Sequence, residues 1–153
     1  MRAVVQRVAQ ATVSGGGATA SIDRGLCVLL GITTDDTSED SDYIVKKLLN
    51  LKIFPPDNEP SGWKKSVLDV GGEILVVSQF TLHAVYKGTK PSFHRSMAPT
   101  DAELIFQEAV AQLKANYSQD RVAQCVFGSY MNVSLVNDGP VTLILDSRQP
   151  KGG

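Results

Sequence analysis

The most informative hydrophobic pattern in the chain runs from Ile74 to Leu82. It begins as an uninterrupted apolar segment, which is typical of a strand buried on both faces or of a core helix. The turn-forming pair Gly71-Gly72 comes just before it, and this favours a strand. We therefore expect a central buried strand here.

Three polar side chains interrupt the end of this segment. With a side-chain period of two, Gln79 and Thr81 point to one face of the predicted strand. Ser78 and Phe80 point to the other face. A buried hydroxyl or amide is costly unless it is hydrogen-bonded. Two interpretations are open: the polar groups line a cavity, or the strand end reaches the surface and they meet water.

The other strands are predicted from short apolar or alternating segments that are bounded by turn residues, and hairpins link most of them. The predicted strands are residues 3–13, 18–22, 25–32, 52–54, 66–70, 73–82, 122–127, 131–136 and 141–145. The segment Asn137–Pro140 reads as a turn between the last two.

Two segments carry helical periodicity. Thr37 is placed to cap the first, and acidic residues fill its first turn. The second begins at a capping box, Thr100–Glu103, and runs to about Asn116. The expected inward-facing residues are Ile44, Leu48 and Leu51 in the first helix and Phe106, Val110 and Leu113 in the second.

These elements predict an α+β fold with mainly antiparallel β-sheets forming a barrel-like core and two principal helices. The strand-helix-strand step over residues 25–54 allows a local parallel crossover. A length of 153 residues fits a single domain over residues 1–153. Residues 146–153 are polar and are expected to fray, and Trp63 is expected to anchor in the core.

Composition and charge narrow the function classes. A net charge of −1 gives no overall field toward nucleic acid or membrane, so any such contact needs a local patch. The N-terminus lacks the apolar region of a signal peptide, and no apolar run is long enough for a membrane span. We expect a cytoplasmic protein. Cys27 and Cys125 fit small buried thiols, with a catalytic or metal-binding cysteine as the alternative.

A local basic patch does occur after Leu82, where the periodicity ends. Residues 83–99, named the basic loop from here on, contain no acidic residue. They carry Lys87, Lys90 and Arg95 with interleaved Tyr86 and Phe93. Such a loop suits contact with phosphates and bases, although a merely solvated loop has the same composition.

Recognisable catalytic motifs are missing. No phosphate-binding loop, dinucleotide fingerprint or zinc spacing is present, so we expect no metal and no cofactor. A triad drawn from Ser78, His83 or His94 and an aspartate is a weak hypothesis, because most sequences offer such a combination. The residues alone therefore leave the reaction open.

Two motifs resemble the paired signatures of the D-aminoacyl-tRNA deacylases. They are Ser78–Leu82, Ser-Gln-Phe-Thr-Leu, and Asn137–Thr142, Asn-Asp-Gly-Pro-Val-Thr. Residues 1–8, 49–54 and 127–128 also resemble this family, and residues 87–93 resemble its eukaryotic forms. The resemblance covers nearly the whole chain.

The resemblance implies a homodimer with active sites at the subunit interface. The reaction it implies is hydrolysis of the ester that joins a D-amino acid, or glycine, to the terminal adenosine of tRNA. Ser78, Gln79, Phe80 and Thr81 would form one wall of the pocket. The backbone amides of Phe80 and Thr81 would stabilise the oxyanion, and the ribose 2′-hydroxyl would assist the chemistry. Thr81 as nucleophile stays an alternative, although no base is visible beside it.

The partner chain would supply the other wall in this family. Gly139 and Pro140 would enter the pocket through a cis peptide and exclude an L side chain, and Asn137 and Met131 would belong to the same chiral filter. A trans peptide, as in a related animal-type branch that tolerates some L substrates, is the alternative, and the Ser-Gln-Phe-Thr motif argues against it. Lys87, Lys90 and Arg95 would contact tRNA. Two rival functions remain: a nucleic-acid-binding accessory protein without hydrolase activity, and a small-molecule esterase.

Overall fold

The computed structural model describes residues 1–149. Two α-helices and eight β-strands occur in this part of the chain. The helices are α1 (Ser38–Asn50) and α2 (Pro99–Asn116). The strands are β1 (Arg2–Gly15), β2 (Ala18–Ile22), β3 (Gly25–Gly31), β4 (Glu73–Ser78), β5 (Val85–Lys87), β6 (Lys90–Ser92), β7 (Val122–Gln124) and β8 (Met131–Asp146).

The long strand β1 organises the main sheet. Its first half pairs with β3, its second half pairs with β2, and β8 follows its other edge, all antiparallel. Buried and half-buried residues alternate along its first half, with Ala3 and Val5 fully buried. This alternation is the period of two that the sequence shows.

The main sheet is mixed rather than purely antiparallel, although most of the described strand pairings are antiparallel, as predicted. β4 pairs in parallel with both β3 and β7, so the described strand order is β2-β1-β3-β4-β7. Parallel neighbours require a crossover, and α1 lies between β3 and β4 in the chain. β2 and β7, at opposite ends of this order, contact each other, so the sheet nearly closes as a barrel. The predicted α+β class and the two helices are confirmed.

The predicted crossover strand at residues 52–54 is wrong. Phe54 forms only an isolated bridge with Lys65, and the chain continues to β4 before it joins β3. Residues 66–70, also predicted as a strand, form turns that lead into β4. Trp63 lies in the connecting loop with 52% of its surface exposed, so it is not a core anchor.

Both helices pack through the faces expected from the sequence, except that Leu51 lies just beyond the end of α1 and is half-buried. At the start of α1, the carboxylate of Asp40 accepts a hydrogen bond from the amide of Thr37 at 2.9 Å, as in a capping box. α2 begins earlier than predicted, because Pro99 occupies the first turn and Ala98 precedes it as the cap. The apolar residues that α2 buries include Phe106, Val110 and Leu113.

β8 is one continuous strand, although the sequence predicted two strands around a turn. It pairs with β1 from Met131 to Asp146, and register shifts lie between Gln6 and Gln10 of β1. Because of these register shifts, the Asn137–Pro140 segment is accommodated within β8, and the chain does not reverse its direction there. Beyond β8, Ser147 and Arg148 are hydrogen-bonded, so the predicted fraying does not begin at residue 146. Residues 150–153 of the predicted tail lie outside the described residues.

Candidate active site

The core strand β4 ends sooner than its apolar pattern predicts. It stops at Ser78, the amide of Gln79 donates to the carbonyl of Leu30 at 2.8 Å, and a 3₁₀ turn follows at Phe80–His83. The predicted alternation of side chains therefore does not extend beyond Ser78. The polar residues sit where a strand changes into a turn, which is a location where backbone groups lose their ladder partners.

A cavity of about 590 Å³ opens at this strand end. Ser78, Gln79 and Phe80 line it, whereas Thr81 is not among the lining residues. The cavity interpretation is therefore supported for Ser78 and Gln79. No charged side chain lines it among the described residues. The other lining residues come mainly from the basic loop, the start of α2 and the segment before β8, and include Phe93, Ser96, Met97, Phe127, Tyr130 and Met131.

Hydrogen bonds from distant elements hold the 3₁₀ turn. The guanidinium of Arg2 donates to the carbonyl of Leu82 at 2.8 Å, and the hydroxyl of Ser96 donates to the carbonyl of Phe80 at 2.9 Å. The ring of Phe93 meets the ring of Phe80 edge-on at 5.0 Å between centroids. The turn is therefore attached to both β1 and the basic loop.

The first two amides of the 3₁₀ turn belong to Phe80 and Thr81. Such amides have no partner within their own turn. No described residue accepts a hydrogen bond from either of them, whereas the side-chain amide of Gln79 donates to the hydroxyl of Thr81. Two adjacent backbone donors and a polar side chain thus occur together beside the cavity.

The two histidines do not form a triad with Ser78. The ring of His83 is hydrogen-bonded to the carbonyl of Gly31 at 3.1 Å, and the ring of His94 to the hydroxyl of Ser92 at 2.8 Å. Burial lowers the pKa of His83, and this favours the neutral ring. Ser78 instead neighbours the thiol of Cys125, with 3.7 Å between Oγ and Sγ.

The cysteines are buried, as predicted. Burial raises the pKa of the Cys27 thiol to about 11, so this thiol stays un-ionised and is a poor nucleophile at neutral pH. No group of three or more metal-ligating side chains is found within residues 1–149. In the same part of the chain, no helix combines the length and apolar character needed to cross a membrane.

The second motif lies within β8 and outside the cavity. The Gly139-Pro140 peptide is cis, as the resemblance predicted, and both residues are exposed. Gly139 has φ +129°, a conformation that L side chains rarely adopt. The side-chain oxygen of Asn137 accepts from the amide of Val141 at 3.2 Å. Of the residues assigned to the chiral filter, Met131 alone lines the cavity of its own chain among those described.

Arg7 contacts the second motif, and the sequence analysis did not identify it. Its buried side chain donates to the carbonyl of Asp138 at 3.2 Å and also pairs with the carboxylate of that residue. It further donates to the carbonyl of Ile53 and lies over the ring of Phe54. One feature of the sequence could have identified it: Arg7 is a charged residue in the mainly apolar first half of β1. A buried charge needs a hydrogen-bonding or ionic partner.

The basic loop is more regular than predicted. β5 and β6 form a hairpin, in which Lys87 pairs with Lys90 next to the tip. Both lysines, Tyr86 and Arg95 are exposed. The carbonyl of Arg95 is fixed by the amide of Thr34 at 3.0 Å, so the base of the loop is anchored near the cavity.

Comparisons with known proteins place this arrangement in a family. The family model described as D-Tyr-tRNA(Tyr) deacylase matches residues 4–146. D-aminoacyl-tRNA deacylase of Schizosaccharomyces pombe is 47% identical over 97% of this chain and 100% of that protein. D-aminoacyl-tRNA deacylase 1 of Homo sapiens is 47% identical over 98% of this chain and 72% of that protein.

A solved structure named "c-Myc DNA Unwinding Element Binding Protein" is also similar. It shares 45% sequence identity with a TM-score of 0.92, over 97% of this chain and 100% of that one. Both the sequence and the arrangement of elements therefore agree with known relatives over nearly the whole chain. The chain belongs to the D-Tyr-tRNA(Tyr) deacylase family.

Proposed function

We propose that this protein is a hydrolase that cleaves the ester of D-aminoacyl-tRNA in the cytoplasm and releases the D-amino acid and the tRNA. The observation that carries the proposal is the family match over residues 4–146, together with relatives named D-aminoacyl-tRNA deacylase at 47% identity. Glycine attached to a non-cognate tRNA is a second substrate, because a site that tests only the side of the α-carbon accepts a residue without a side chain.

The proposed chemistry uses the main chain of the 3₁₀ turn. Water attacks the ester carbonyl, the bond to the ribose 3′-oxygen breaks, and that oxygen takes a proton. Phe80 and Thr81 are the residues whose free amides stabilise the negative charge on the carbonyl oxygen. Ser78 and Gln79 line the same wall of the cavity, and Gln79 holds Thr81 in place.

The ribose 2′-hydroxyl of the tRNA assists the reaction. In residues 1–149 neither a histidine nor a carboxylate lines the cavity, and both histidines have partners outside it. The 2′-hydroxyl lies next to the ester within the substrate itself, so it acts at a high effective concentration. This supplies the proton transfer that the protein site lacks.

The active protein is a homodimer in this proposal. Large apolar side chains are exposed near the cavity and along β8, which is unusual for a free surface: Phe80, Tyr130, Val136 and Ile144. The exposed Gly139 and Pro140 of one protomer enter the cavity of the other and place carbonyl groups against the α-carbon. An L side chain would meet this wall, whereas a D side chain points away from it.

Arg7 and Asn137 hold the main chain on both sides of Gly139 and Pro140 in place. Arg7 donates to the carbonyl of Asp138, directly before Gly139, and Asn137 binds the amide that follows Pro140. Met131 bounds the cavity from the start of the same strand. The chiral filter is thus built from main-chain groups that these hydrogen bonds hold in place. A filter of this kind does not read the identity of the side chain, which agrees with tolerance for many amino acids.

The acceptor end of the tRNA lies along the basic loop. Lys87, Lys90 and Arg95 are exposed, no acid occurs in residues 83–99, and the base of the loop borders the cavity. These charges bind backbone phosphates while the terminal adenosine and its amino acid occupy the cavity.

Nucleic-acid binding without hydrolysis is a second candidate function. The specific observation in its favour is the solved structure whose name is that of a DNA-unwinding-element binding protein, at 45% identity. The same basic loop would serve this role. Binding and hydrolysis share a surface in this case, so a binding assay alone does not separate the two functions.

Three substrates separate the candidates. Purified protein is incubated with D-Tyr-tRNA, L-Tyr-tRNA and D-tyrosine ethyl ester, and release of tyrosine is followed. We expect hydrolysis of D-Tyr-tRNA alone. A protein that binds tRNA and hydrolyses none of them is an accessory protein, and rapid cleavage of the ethyl ester would indicate a small-molecule esterase.

A further inference from the structure

The direction of a backbone donor is set by the carbonyl that shares its peptide unit. A trans peptide is planar, so its C=O and N–H point in opposite directions. The unit that joins Phe80 to Thr81 contains the carbonyl of Phe80 and the amide of Thr81. Any group that holds this carbonyl therefore also aims this amide.

Ser96 holds that carbonyl. Its hydroxyl donates to the carbonyl oxygen of Phe80 at 2.9 Å. Ser96 belongs to the basic loop and lies 16 residues further along the chain, and it also lines the cavity. A hydroxyl from a separate segment thus binds the carbonyl end of this peptide unit, and the Thr81 amide lies at the opposite end.

The hydroxyl sits on a rigid support. Ser96 forms a β-bridge with Thr33, its amide donates to the carbonyl of Phe93 at 3.0 Å, and the amide of Met97 donates to the carbonyl of Ile32 at 3.0 Å. Bonds on both sides of Ser96 fix its backbone. Because little freedom remains, the hydroxyl is already in place before a substrate arrives, as preorganised stabilisation of charge requires.

We infer that Ser96 is a positioning residue that aims the Thr81 amide at the oxyanion, an inference that rests on the proposed function. The oxyanion exists only in the transition state and the tetrahedral intermediate. An interaction that is made only there lowers kcat when it is lost and leaves substrate binding unchanged. A role of Ser96 in substrate binding would raise KM instead.

The test compares the steady-state kinetics of three variants on D-Tyr-tRNA. Ser96→Ala removes the hydroxyl, and Ser96→Thr keeps it. Ser92→Ala is the matched control, because the Ser92 hydroxyl lies in the same basic loop but binds the ring of His94 at 2.8 Å and not the 3₁₀ turn. Folding of each variant is checked by its melting temperature.

We expect Ser96→Ala to lower kcat by about tenfold to a hundredfold, with KM within about twofold of wild type. Ser96→Thr should restore most of kcat, and Ser92→Ala should behave as wild type. An unchanged kcat for Ser96→Ala, an effect confined to KM, or no recovery with threonine would each overturn the inference.

A separate NMR experiment tests whether Ser96 acts on the peptide unit that contains the Thr81 amide. In ¹⁵N-labelled protein, the Thr81 amide resonance should move in Ser96→Ala and stay in place in Ser92→Ala. A Thr81 resonance that does not respond to Ser96→Ala would overturn the inference. Wild-type protein that fails to hydrolyse D-Tyr-tRNA would overturn the proposed function, and the NMR comparison would then still decide whether Ser96 holds the peptide unit of the Thr81 amide.

Discussion

Thr81 has surroundings that suit a structural residue better than a nucleophile. Its hydroxyl accepts a hydrogen bond from the side-chain amide group of Gln79, and such a group cannot remove a proton. A threonine hydroxyl is weak unless a base activates it, and His83, the nearest histidine in sequence, is bonded to the carbonyl of Gly31. At the scale of single residues, the site therefore offers backbone donors and positioned amides instead of an activated side chain.

Thr81→Ala should consequently remain active. The variant keeps the backbone amide, so we expect kcat within about tenfold of wild type, with a loss caused by the freed Gln79 side chain. A D-aminoacyl-tRNA with a 2′-deoxy terminal adenosine should be slower by about a hundredfold or more with the intact enzyme. Single-turnover rates measure both effects.

Thr19→Ala, at an exposed position of β2, is the control for this pair of measurements. An inactive Thr81→Ala together with a fully reactive deoxy substrate would assign the chemistry to the threonine hydroxyl.

Single elements carry separate tasks around the cavity. The β5–β6 hairpin presents lysines to solvent, whereas Ser96, further along the basic loop, supports the 3₁₀ turn. α1 begins at a cluster that joins both ends of the described chain, because Asp40 binds Ser147 and Arg148 while Asp36 binds the amino group of Met1. Substitutions in the hairpin should therefore affect tRNA binding, whereas substitutions in the cluster at α1 should affect the stability of the fold.

Removal of the loop charges should weaken tRNA binding selectively. Each phosphate contact contributes about 0.9 to the slope of log affinity against log salt on duplex regions and about 0.7 on single strands. The triple variant Lys87→Gln, Lys90→Gln, Arg95→Gln should therefore lose affinity and flatten this slope by about 2–3. Hydrolysis of a short D-aminoacyl-adenosine should change little.

The matched control removes three lysines from the helices: Lys46, Lys47 and Lys114. Filter binding over a range of salt concentrations compares the two triple variants. Equal affinities would mean that the basic loop is only a solvated surface.

Asp40 should make stability depend on pH in the acid range. Burial raises its pKa, but hydrogen bonds from Arg148, Ser147 and the amide of Thr37 together lower it well below its usual range. A carboxylate with a lowered pKa in the folded state adds stability above its unfolded pKa of about 3.9, and this stability is lost as the pH falls toward the folded value. The contribution is therefore complete at neutral pH.

Asp40→Asn should lower the free energy of unfolding by about 2 kcal/mol at pH 7, because charge-assisted hydrogen bonds to a buried carboxylate are lost. The difference from wild type should shrink as the pH falls below about 4. Urea unfolding at several pH values measures it, with Asp42→Asn on the exposed face of α1 as control. A difference that stays constant down to a pH of about 2 would contradict the ion-pair explanation.

At the scale of the whole molecule, several exposed apolar side chains lie on β8 or directly before it. Tyr130 is 91% exposed, Ile144 62% and Val136 49%, and all three lie on or directly before β8. The same strand carries Gly139 and Pro140, which do not reach the cavity of their own chain. A second protomer would cover the apolar residues and complete the cavity at the same time.

Sedimentation at micromolar concentration should therefore show a dimer. Val136→Glu combined with Ile144→Glu should shift the protein to monomer and abolish activity, because charge on both sides would meet at the interface. Leu104→Glu, on the exposed face of α2 with 70% exposure, should stay dimeric and active. A wild-type protein that is monomeric and fully active would contradict the shared site.

Local patterns in the sequence predicted both helices, most of the strands of the main sheet and the position of the cavity. The helical periods placed Phe106, Val110 and Leu113 in the core, and the polar residues after the apolar run marked the cavity. These inferences hold because burial imposes a period of two or 3.6 on residues that are close in sequence. The motif Ser78–Leu82 likewise lies within one short stretch.

Contacts between distant segments were decided only by the tertiary structure. The continuation of β8 through Asn137–Pro140 depends on β1 beside it, and the parallel pairing of β4 depends on where the crossover returns. Arg7 and Ser96 act on carbonyls 131 and 16 residues away. A hydrogen bond between residues so far apart produces no periodic pattern in the sequence. A local pattern therefore could not predict which carbonyl group each residue would bind.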